Sequence, residues 1–103
     1  MTSKREFNTV LIEAIDEALQ TTLGESGKEV VYYYLKNSYA IRKEDIPENP
    51  ELFTEFLNKL FGAGAKIIEN IILKNLCLKL GIKYEEAKNA KLADFMREIS
   101  QRK

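Results

Sequence analysis

The sequence predicts an all-α fold, a compact bundle of about five helices, and three observations carry that prediction. Apolar residues recur at i, i+3 and i+4 in stretch after stretch. No stretch of any length alternates apolar and polar residues as a half-buried strand does. Gly24, Pro47, Pro50, Gly62, Gly64 and Gly81 fall between the apolar stretches, where helices stop or start. The 103 residues suit a single helical domain over 1–103, with its core at about 5–100.

The first helix is expected at about 4–22, with Phe7, Val10, Leu11, Ala14, Ile15, Ala18 and Leu19 on one face. Gly24 suits its C-terminal cap, because glycine tolerates a left-handed backbone. The second is expected at about 27–38. Ser26 and Glu29 have the spacing of a capping box, and Val30, Val31, Tyr34 and Leu35 make its inner face. Tyr32 and Tyr33 then fall outside that face.

Residues 39–48 read as the least regular connection, with Ile41 and Ile46 plugged into the core and Pro47 stopping any helix before it. Asn49-Pro50-Glu51 then reads as a helix start: an Asn N-cap, Pro at N1 and an acid against the helix dipole. This third helix reaches about Leu60, with Leu52, Phe53, Phe56, Leu57 and Leu60 inward. Gly62-Ala63-Gly64 reads as a close meeting of two helices. The fourth helix, about 64–80, is the most apolar. Ile67, Ile71 and Leu78 point one way, and Leu73, Leu76 and Leu80 lie much further round. Such a helix is either the central strut or keeps one side for a second subunit. The fifth is expected at about 84–100, with Tyr84, Ala87, Leu92, Phe95, Met96 and Ile99 inward, and a fraying tail at Ser100–Lys103.

Several function classes are disfavoured by composition. There is no histidine, which removes Ser-His-Asp and Cys-His arrangements and His-based zinc sites. The single cysteine, Cys77, forms neither an internal disulfide nor a redox pair, and its apolar neighbours mark it as core. Glu13 and Glu17 stand at i, i+4, but no second acid cluster is placed predictably beside them, so they read as a solvated face. Gly62–Lys66 resembles part of a phosphate cradle but lacks the spacing and the hydroxyl of a P-loop. The expectation is a protein that is not an enzyme and uses no cofactor.

Charge bears on partners. Lys+Arg and Asp+Glu are equal at 16 each, so no basic excess exists to draw phosphate backbones. Lys88, Lys91, Arg97, Arg102 and Lys103 form a basic concentration, offset by Glu85, Glu86, Asp94 and Glu98. A small nucleic-acid-binding protein using a local basic face is therefore the alternative reading. The main one is an interaction domain that binds another protein or itself, as in a homodimer. Tyr32, Tyr33 and Tyr39 are its candidate interface, since exposed tyrosines are enriched there, together with Leu73 on the broadly apolar fourth helix. Met1–Glu6 leads into no signal-type stretch, and the apolar run at 63–80 carries Lys66, Glu69, Lys74 and Lys79. No membrane association and a cytoplasmic location are the matching expectations.

Three stretches occur in a familiar order. They are Leu23-Gly24-Glu25-Ser26, Lys43-Glu44-Asp45-Ile46-Pro47, and Lys59 through Glu69 across the Gly62–Gly64 break. Together they resemble the archaeal Nitrosopumilus output domain family, fifth type, over about residues 7–100. The resemblance implies a small helical signalling-output module. It carries over no catalytic residue.

Overall fold

The computed structural model describes residues 4–101. Among them the chain is helical with no strand: α1 (Lys4–Tyr39), a 3-10 turn (Lys43–Glu48), α2 (Pro50–Phe61), a second 3-10 turn (Gly62–Gly64), α3 (Ala65–Leu80), α4 (Tyr84–Ala87) and α5 (Leu92–Gln101). The all-α bundle is thus the observed fold.

α1 is two helices in one. Its 36 residues include Gly24 at φ 78° and ψ 174°, which is not a helical conformation. A straight helix of that length would run about 54 Å, yet the longest dimension of the molecule is 34 Å. The arms at 4–23 and 25–39 therefore fold back on each other. Lys28 Nζ donates to Gln20 Oε1 at 3.2 Å and Tyr32 Oη to Asp16 Oδ1 at 2.5 Å, so pairs equidistant from Gly24 meet across the elbow. Because helix resumes directly after Gly24, Ser26 lies inside the first turn and not at the N-cap. The Ser26/Glu29 capping box is corrected accordingly.

The core is apolar throughout. Leu11, Ile15 and Leu19 of the first arm, Val31 and Leu35 of the second, Phe53 and Leu57 of α2, and Ile72 and Leu76 of α3 are all buried. Ile41 and Ile46 fill it from the connection, as the sequence predicts. The 3-10 turn carries Pro47 within it. Asn49 does stand before Pro50, but its side-chain amide donates back to the Asp45 carbonyl at 2.9 Å and caps nothing in α2.

Other expectations change. Gly62 takes φ 57° at the break, and a Cβ there would meet nothing within 4 Å. Conformation and not crowding requires this glycine. The expected fifth helix is interrupted at 88–91. A continuous helix would set Lys88 and Lys91 in the middle of the Tyr84–Leu92–Phe95 stripe, so the break keeps two ammonium groups out of the core. The tail continues as helix to Gln101; Arg102 and Lys103 lie outside the described residues. Leu52 and Leu60, expected inward, are exposed at the edges of α2.

α3 is central on one side only. Ile68, Ile72, Leu73, Leu76 and Cys77 are buried against its neighbours, while Ile67 is 63% and Leu78 82% exposed. Asn75 Nδ2 donates to the Ala14 carbonyl at 3.3 Å, and Lys79 Nζ lies 3.0 Å from Glu17 and 3.8 Å from Glu13. The i, i+4 acids thus grip a lysine of the protein itself. Arg97 of α5 is ion-paired with Glu51 of α2, and this guanidinium holds the Glu51 carboxyl below its usual range.

Candidate interaction surface

The second arm of α1 decides which tyrosines face outward. Val31 and Leu35 point into the core, which fixes the phase of the arm. At about 100° per residue, that phase leaves Val30 and Tyr33 to solvent and sets Tyr32 and Tyr34 on opposite flanks, of which the Tyr32/Tyr39 flank is the more covered and the Tyr34 flank is open. Tyr33 is 65% and Tyr34 47% exposed, and their rings meet edge to face with centroids 5.8 Å apart.

Tyr34 stands on the wall of an open groove of about 450 Å³ between this arm and α2. Ser38 and Tyr39 line it from α1, and Phe56, Lys59 and Leu60 from α2. Tyr39 is held in place twice: its ring packs edge-on against Phe56 at 5.7 Å, and its hydroxyl donates to Glu55 Oε2 at 3.1 Å. Glu55 also faces Lys59 at 3.8 Å. The groove therefore has an aromatic floor, apolar walls and a charged rim. This is the arrangement that accepts an apolar side chain from a helix or extended segment while its flanks stay wet.

The expected interface residues separate into three groups. Tyr33 lies at the surface as predicted. Tyr32 and Tyr39 are half-buried and used internally. Tyr32 Oη donates to Asp16, and Lys43 Nζ lies 3.6 Å from the other Asp16 oxygen and 5.5 Å from the Tyr32 ring centre. Burial first, then the Asp16 hydrogen bond and charge, push the Tyr32 phenol far above its ordinary range, so it acts as a fixed donor. Leu73 is 2% exposed and belongs to the core, which corrects its place in the interface. Tyr34 and Val30, expected inward, are exposed instead.

Sequence reasoning missed the groove residues Tyr34, Phe56 and Leu60. The stripes Val30/Tyr34 and Val31/Leu35 are equally apolar and lie side by side on the wheel. No local signal separates them, and Lys28, on the Val31 side of the wheel, points the wrong way until the elbow tucks its stem in with only 12% of its side chain exposed.

Other chemistry is sparse. Among the described residues no three His, Cys, Asp or Glu side chains come together in a way that could hold a metal ion. Cys77 is buried, and its thiol is pushed up by desolvation and by Glu86. Lys88 is paired with Glu85 at 2.8 Å, and with Arg97 on Glu51 the basic concentration near α5 is partly neutralised. Among the described residues no helix is long and apolar enough to cross a membrane. No protein-family model, curated protein or solved structure matches the chain.

Proposed function

We propose that this chain is a non-enzymatic protein-interaction domain whose docking surface is the groove between the second arm of α1 and α2. The exposed Tyr33–Tyr34 pair beside an aromatic-floored groove carries this reading. Tyrosine supplies a large apolar contact with a polar tip, at low conformational cost. The neighbouring exposed Val30 and Leu60 extend the apolar surface. The signalling-output role, the archaeal family that the Leu23–Glu69 motifs resemble, and a cytoplasmic setting belong to the same proposal.

The test is affinity capture from source-cell extract with three baits: the native chain, a Tyr34→Ser/Leu60→Ser double variant, and a Leu78→Ser control. All three substitutions are at exposed positions, so unchanged melting curves are expected. A partner held by the native chain and the control and lost from the double variant is the expected result. A partner held equally by all three baits would remove the groove from the interface.

A further inference from the structure

A different part of the surface combines several lysines with a concave shape. The break at 88–91 delivers Lys88 and Lys91 to a hollow of about 210 Å³ whose opposite wall is the start of α3, with Lys66 and Asn70. Asn89 adds a further amide. A second hollow of about 270 Å³ adjoins it and shares Lys66, Glu69, Lys91 and Leu92.

Among the described residues about half of the lysines form an ion pair, and Lys36, Lys74 and Lys83 form none. Lys28, Lys43, Lys59, Lys79 and Lys88 are each in an ion pair. Lys66 and Lys91 have no ion pair among the described residues, although they share this hollow. Bringing like charges together raises the free energy unless an anion joins them. Glu69 is the single carboxylate of the lining. Its oxygen lies 3.5 Å from Asn58 Nδ2, and desolvation pushes its carboxyl up against the opposing pull of Lys66.

The geometry points to a binding site for a small phosphate-bearing compound, held by Lys66, Lys91 and Lys88 with Asn70 and Asn89 as amide donors. The ammonium groups supply charge, and the amides supply donors that complete the coordination of oxyanion oxygens. Lys88 contributes while remaining close to Glu85. No aromatic ring lines either hollow. Base stacking, the usual anchor of single-stranded nucleic acid, has nothing to act on here. The phosphate group itself is what the site recognises. The inference is independent of the groove, which lies on other residues.

Calorimetric titration with inorganic phosphate and with glycerol phosphate, against sodium chloride of matched ionic strength, tests it. The native chain is expected to show saturable binding of both phosphates. Lys66→Gln/Lys91→Gln should weaken that binding by roughly tenfold or more, since charge-assisted hydrogen bonds are the strong ones. Glu69→Gln should tighten it, and Tyr34→Ser/Leu60→Ser should leave it unchanged. Both lysines are exposed, so melting curves in phosphate-free buffer confirm that the variants fold. Absence of saturable binding to the native chain would overturn the proposal, as would equal affinity in the lysine double variant.

Discussion

Gly24→Val is expected to destabilise the protein by about 3 kcal/mol, because a φ of 78° with ψ 174° is a conformation open to glycine almost alone. A Cβ at this position meets no neighbour within 4 Å, so the whole effect comes from the backbone. A β-branched side chain is the most costly choice there. The elbow is tight on its other side as well. A Cβ added at Gly27 would lie 2.6 Å from the Leu23 Cβ, closer than such atoms approach. The two glycines thus serve separate needs, one of conformation and one of close approach. Urea unfolding of Gly24→Val, Gly24→Ala and Gly27→Ala measures both. A Gly24→Val variant as stable as the native chain would show that the elbow is not held in the observed conformation.

Tyr32→Phe is expected to cost about 1.5 kcal/mol, the range of a hydrogen bond to a charged group that water partly replaces. Asp16 keeps Lys43 at 3.6 Å and remains 30% exposed, so the carboxylate is not abandoned in the core. The pH dependence has a definite sign. The native state holds the phenol proton more tightly than the unfolded chain, whose tyrosines ionise at about 10. The stabilisation is therefore fully present below that pH and is lost as pH rises above it. Alkaline denaturation curves should fall more steeply for the native chain than for Tyr32→Phe. Parallel curves would mean that Tyr32 does not donate to Asp16 in solution.

These two predictions meet at one feature, the folding back of α1. Gly24 permits the elbow, and Tyr32–Asp16–Lys43 ties both arms to the connection that follows. The same tie fixes the rotation of the second arm. Rotation in turn decides that Tyr33 and Tyr34 face outward beside the groove. Loosening Tyr32 should therefore also disturb the proposed docking surface, although Tyr32 itself does not line it.

Much of this was already legible in the chain. The helical class follows from the i, i+3, i+4 recurrence of residues such as Leu11, Ile15 and Leu19, because that period sets one buried face per helix. The break positions follow from Gly24, Pro50 and Gly81, whose backbone preferences are local. The burial of Ile41, Ile46 and Cys77 follows from hydrophobicity in a chain with little else to fill its core. Tertiary structure alone decided the rest. Val30/Tyr34 and Val31/Leu35 are equivalent stripes until another helix covers one of them. Leu73 and Leu78 are equally apolar on α3, yet one is enclosed by neighbours and the other faces solvent. The grouping of Lys66 with Lys88 and Lys91 joins residues more than twenty positions apart. Local periodicity states which residues share a face, whereas which face is covered depends on where distant helices come to rest.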